Sequence, residues 1–172
     1  MTAIALHGPL RTASAHLATD VDLIQGSTRR LLLALLELDE ADLAAPASSG
    51  LGTKRHVLAR LVRQSDRATA ALELRTAPIP DDALLRAPLP AVVDAVTSSL
   101  GATLAALTTM APGSPMHAAI GIATEHLAWL ELTHVDLADD YAVTHIPNPA
   151  LDAVAAHLHD EPNSPFAPLV AA

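Results

Sequence analysis

Of 172 side chains, one is Trp, one Tyr and one Phe, yet 51% of the chain is hydrophobic. Any core must therefore be assembled from Leu, Ala, Val and Ile, and Ala-rich helices of this kind approach one another closely. Apolar residues recurring every three to four positions predict helices, and the 13 prolines punctuate them. No strand-like alternation of useful length and no internal repeat interrupts the pattern.

Asp20 is placed to cap a first helix, with Ser14–Thr19 able to extend it, and Leu23, Ile24, Leu31, Leu32, Leu35, Leu36 and Leu38 face inward. Asp39 opens a brief turn over Glu40–Leu43, followed by a loop from Pro46 to Gly52. Thr53 is an N-cap for a second helix reaching about Leu74, with Val57, Leu58, Leu61, Val62 and Leu72 at helical spacing. Thr76–Leu89 holds Pro78, Pro80 and Pro88 and reads as a linker. Pro90 starts a third helix ending near Met110, and Ser114-Pro115 starts a fourth running to about Leu137. Asn148-Pro149 opens a short fifth helix ending near Leu158. The expected fold is all-α, an antiparallel four-helix bundle with a short extra C-terminal helix and an extended tail. One domain covers 1–172, with a core of about 14–158 and a tail of 159–172.

The net charge is −9 and Lys54 is the only lysine, so the basic stripe that nucleic acid binding requires is missing. There are no cysteines, which excludes disulfides and a thiol nucleophile of the chain's own. Met1–Leu10 lacks the charged start and apolar core of a secretory signal, and no run of about 18 apolar residues predicts a membrane span. A cytoplasmic location is expected.

Three segments, in order, carry a likeness. Leu-Leu-Glu-Leu-Asp-Glu-Ala-Asp-Leu, ending at Leu43, is followed by a loop and Thr53-Lys-Arg-His56-Val-Leu-Ala-Arg60-Leu; Leu130-Glu-Leu-Thr-His-Val-Asp-Leu137 is followed by Tyr141; and Ser164-Pro-Phe-Ala-Pro168 lies in the tail. Together they resemble the mycothiol-dependent maleylpyruvate isomerase family of DinB-like helical metalloenzymes. That resemblance implies a bundle holding one divalent metal, typically zinc. The family's ligands are a histidine at the start of the second helix, then a glutamate and a histidine four residues apart on the fourth. Such spacing puts both on one helix face, leaving a coordination position for a thiolate or a substrate oxygen. His56 matches the first ligand. With Val135-Asp136-Leu137 fixing the register, Trp129 and Thr133 stand at the other two positions, and neither is a zinc ligand. Gly52 replaces the family's tryptophan before the second helix, and Arg60 stands where a further histidine is common.

These linked changes point to altered chemistry at one site. His56 is a candidate acid or base, against the alternative of a surface residue at a helix start. Arg60 is a candidate anchor for a substrate carboxylate, against a salt bridge with Asp66 or Asp139. His126, Trp129, Thr133 and Asp136 form one stripe on the fourth helix, either a polar pocket with an aromatic wall or a core Trp with Thr133 bonded back to its own helix. Glu131 and His134 read as an interface or solvated pair, or as metal ligands in a shifted set with His56 and His126. His7, His16, His117, His145, His157 and His159 read as solvent histidines.

Three functions follow as expectations. The first is a metal-independent acid/base enzyme acting on a small molecule by isomerisation, cyclisation or thiol addition. The second is an inactive relative that binds a ligand or serves as an accessory protein. The third is a zinc-dependent thiol transferase or isomerase with a rearranged site, in which mycothiol is the thiol. Family members often carry a second domain that completes the site, a role a homodimer or separate partner protein could fill here.

Overall fold

The computed structural model describes residues 7–50, 52–78, 82–110, 116–138, 140–161 and 166. Within them the protein is all-helical. The α-helices are α1 (His7–Leu35), α2 (Glu40–Ala44), α3 (Lys54–Leu72), α4 (Leu89–Thr108), α5 (Met116–Leu137) and α6 (Asn148–Asp160). Short 3-10 turns lie at Asp82–Leu85 and Val143–His145. The single β-bridge among the described residues, Pro46 to Thr53, closes the loop before α3.

Each of the four long helices touches two others: α5 packs on α1 and α3, and α4 completes the ring against α3 and α1, with α6 added against α5. Leu31, Leu35, Leu58, Leu61, Val96, Leu100, Leu127 and Leu130 are among the buried side chains that fill the interior. Close approach of α3 and α4 is set by small hydroxyl residues. Thr69 and Thr103 meet at 2.9 Å between their Oγ1 atoms, and Ser99 donates to the Asp66 carboxylate at 2.6 Å.

The first helix departs from expectation. It begins at His7 rather than at Asp20, because the Ala- and Leu-containing stretch before Asp20 favours helix and Pro9 falls in the first turn, where a missing N–H costs nothing. Asp20 is instead mid-helix and accepts a bond from the Thr124 hydroxyl of α5 at 3.4 Å. At the other end, Leu36, expected to face inward, is 72% exposed. The chain tightens there into a 3-10 type turn, with Leu36 N–H donating to Leu33 at 3.1 Å.

The starts of α2, α3 and α4 follow their cap signals. Asp39 accepts from the Ala41 and Asp42 N–H groups. Glu40 joins the three helices: one oxygen pairs with Arg55 at 2.6 Å and the other takes the Leu89 N–H at 2.5 Å. A carboxylate is favourable at that helix N-terminus. The expected helix start at Ser114-Pro115 and the expected extended tail lie outside the described residues, save that Phe166 is fully buried.

One described helix, Leu89–Thr108, is long and apolar enough by length and composition to cross a membrane, against the expectation of none. Its Val92, Val96, Leu100 and Leu107 are buried within the helical assembly.

Candidate functional site

α5 is the central helix: every residue from His126 to Leu137 is buried. It therefore presents different side chains to different neighbours, and the stripe expected to form one site is divided among them.

His126 and Trp129, with Ile122 and Glu125 of the same helix, line a cleft of about 350 Å³ against Gln64, Arg67, Ala68 and Ala71 of α3 and Glu161 just past α6. The Trp129 ring meets Phe166 edge-on, with centroids 5.1 Å apart, and His157 at 5.7 Å. His157 is thus buried rather than a solvent histidine. Both ring nitrogens of His126 and the Trp129 Nε1 are buried with no hydrogen-bond partner among the described residues. Burial pushes the His126 pKa down to about 4, so its imidazole is neutral at pH 7 and offers one donor and one acceptor.

Thr133 is also buried, and its hydroxyl makes no bond among the described residues, so it is not bonded back to its helix. Asp136 belongs to the loop before α3: its carboxylate takes the Ser49 N–H and the Ser49 hydroxyl, each at 2.6 Å.

His56 lies elsewhere. It is the third residue of α3, and its Nδ1 accepts the Thr53 N–H at 3.3 Å, with the Thr53 hydroxyl at 2.8 Å. The imidazole plays the part of the Glu or Gln in a capping box. Because a backbone N–H only donates, Nδ1 is the acceptor and Nε2 carries the proton. Gly52 makes room for this ring. Its φ is +102°, and a Cβ there would stand 3.2 Å from the His56 ring. His56 is exposed and about 12 Å along α3 from Gln64. Of His56, Trp129 and Thr133, only Trp129 lines one of the described cavities, so none of these cavities brings the three together.

Arg60, one turn from His56, has its pKa lowered by burial and by Arg63, against the opposing field of Asp136. Asp66 bonds Ser99 rather than Arg60, and Asp139 lies outside the described residues.

Glu131 and His134 correct a second expectation: they are buried, not solvated. The Glu131 carboxylate accepts from Ser27 Oγ at 2.9 Å, Arg30 at 2.6 Å and the Tyr141 hydroxyl at 2.7 Å. His134 stacks on Tyr141, with centroids 3.8 Å apart and planes 11° from parallel. Burial first, then the bond to Glu131, raises the Tyr141 pKa. This group ties α1, α5 and the segment after α5 together.

The residues present do not fit a zinc ion. His56, His126, Glu131 and His134 face separate neighbours, and no group of three His, Asp or Glu side chains gathers among the described residues. Of the polar cleft residues, Gln64, Arg67, Glu125 and Glu161 are not among those the sequence singles out, though Gln64 and Arg67 had a signal. They continue the α3 face that carries Arg60 and Arg63. No family model, curated protein or solved structure matches the chain.

Proposed function

We propose that this chain is a small-molecule-binding protein on an antiparallel four-helix bundle of the DinB-like kind, with its ligand in the α3–α5 cleft. The observation that carries the reading is the cleft itself. One wall holds the indole of Trp129 and the neutral imidazole of His126 with the Glu125 carboxylate beside them, and the rest holds Gln64, the permanent cation of Arg67 and the Glu161 carboxylate. Its volume of about 350 Å³ is at the small end of ligand pockets. A small polar organic molecule fits, its apolar body on Trp129 and its polar groups among Gln64, Arg67, Glu125 and Glu161.

Trp129 is the only tryptophan, so its emission reports on this cleft alone. Titration with a panel of small carboxylic acids and low-molecular-weight thiols, mycothiol included, should find a member that changes the emission and raises the melting temperature. Ala68→Phe, which fills the cleft without removing a buried group, should abolish both responses. A ligand that raises the melting temperature yet leaves the emission unchanged and tolerates Ala68→Phe would place the site elsewhere. Silence across the whole panel would remove the support for a binding role.

A second reading keeps the acid/base role for His56 and Arg60 that the family resemblance implies. It is favoured by the Thr53 bonds, which orient the imidazole and leave Nε2–H as the proton-donating side of the ring. In this reading His56→Ala abolishes turnover and leaves the Trp129 titration unchanged. If His56→Ala retains full turnover of a substrate found by the panel, the catalytic assignment is lost.

A further inference from the structure

The largest of the described cavities, about 670 Å³, is on the face opposite this chemistry, between α1 and α4. It is apolar where a folded chain should be polar. Leu33 and Leu36 are 56% and 72% exposed, and they are two of the three large hydrophobic side chains left in water among the described residues. α4 adds Val93 and Leu104 to the floor, from a helix with only 33% of its most apolar stretch buried. Contiguous exposed apolar surface of this kind marks an interaction site.

The charges on the rim say what covers it. Asp22 and Arg29 flank the groove on α1, about two turns or roughly 10 Å apart, and neither has an ion pair among the described residues. Gln25 and Gly26 lie midway between them, and Gly26 offers no side chain to hold two helices apart. Asp22, Gln25, Arg29 and Leu33 recur every three to four residues, the spacing of a helix–helix seam, and Leu36 follows just past the helix end. A two-fold axis through Gln25-Gly26, with two α1 helices antiparallel, brings Asp22 to the level of Arg29 of the second copy, and Arg29 to its Asp22. The same register sets Leu33 and Leu36 opposite Ala18 and Ala15 of the second copy, both exposed and small. The surface is therefore complementary to itself in charge and sets small residues opposite large ones, as an isologous dimer requires.

We infer that the α1–α4 face is a homodimer interface, with α1 packed antiparallel on α1 about a two-fold at Gln25-Gly26. Sedimentation velocity at tens of micromolar should give twice the 17.8 kDa chain mass. Arg29→Asp and Asp22→Arg each place like charges together at two symmetric points, and each should weaken association at least about tenfold. The double exchange, Asp22→Arg with Arg29→Asp, restores both pairs and should restore the dimer. Leu33→Glu should give a monomer with unchanged helical circular dichroism, separating loss of contact from loss of fold. A monomeric wild type overturns the inference, as does a monomer that instead binds lipid vesicles through this face. A dimer indifferent to both single reversals overturns the pairing, and one that also survives Leu33→Glu overturns the surface.

Discussion

Replacing Glu131 by alanine should destabilise the fold by about 3 kcal/mol, toward the lower end of what removing one partner of a buried ion pair costs. The carboxylate is wholly buried and is the shared acceptor for Ser27, Arg30 and Tyr141. Its loss strands the buried Ser27 hydroxyl and opens a cavity between α1 and α5, while the half-buried Tyr141 hydroxyl keeps the His145 carbonyl at 3.4 Å. Arg30 tempers the damage, because its side chain is 38% exposed and can turn to water. For a chain of this length that free energy corresponds to a drop of roughly 10 °C in melting temperature. Tyr141→Phe removes one donor and leaves the carboxylate with two, so about 1 kcal/mol is expected. Calorimetry on the two variants checks the order. A Glu131→Ala protein melting within a degree or two of wild type would mean the carboxylate's bonds contribute nothing net.

The helices were readable in the sequence, and the division of α5 among its neighbours was not. Thr53, Asp39, Pro90 and Asn148-Pro149 announce helix starts through local chemistry, and the structure follows them. α1 departs from expectation where two local signals compete. Asp20 has the identity of an N-cap, yet the Ala- and Leu-containing stretch before it continues the helix, and Asp20 serves Thr124 across the interface. Periodicity identifies a site face only on a helix with one buried side. With His126 to Leu137 all buried, the steps of three and four residues that align His126, Trp129, Thr133 and Asp136 say nothing about which partner each will meet. His126 and Trp129 meet α3 and α6, Asp136 meets the Ser49 loop, and Glu131 meets α1. His56 was singled out by its place at a helix start, and that place explains what it does here: it holds the Thr53 N–H. Gly52, noted only as a replaced residue, is required by its positive φ and by the ring packed against it.

Acidification should destabilise the protein through His126, by an amount on the order of 3 kcal/mol between about pH 6.5 and pH 4. In the unfolded chain this imidazole titrates at its ordinary 6.5; folded, burial holds it at about 4. Between those values the unfolded state binds a proton that the folded state refuses, so falling pH draws the chain toward unfolding. Above the window both states are neutral at this position, and below it both are charged, so the slope vanishes on either side. His134 is also shifted downward by burial and adds a slope of the same sign. The difference between wild type and His126→Phe therefore isolates the His126 contribution. Urea unfolding at steps from pH 7 to about pH 4.5 should show the variant losing markedly less stability than wild type. Parallel stability profiles for the two proteins would show that the imidazole is hydrated in solution and that the cleft is wetter than its geometry indicates. The same titration bears on the ligand. A bound carboxylate near His126 would favour the imidazolium and raise its pKa, so affinity would strengthen as pH falls through the window. A neutral ligand would leave the pKa near 4 and its affinity flat, and that result would exclude an acidic ligand while leaving the cleft as the site.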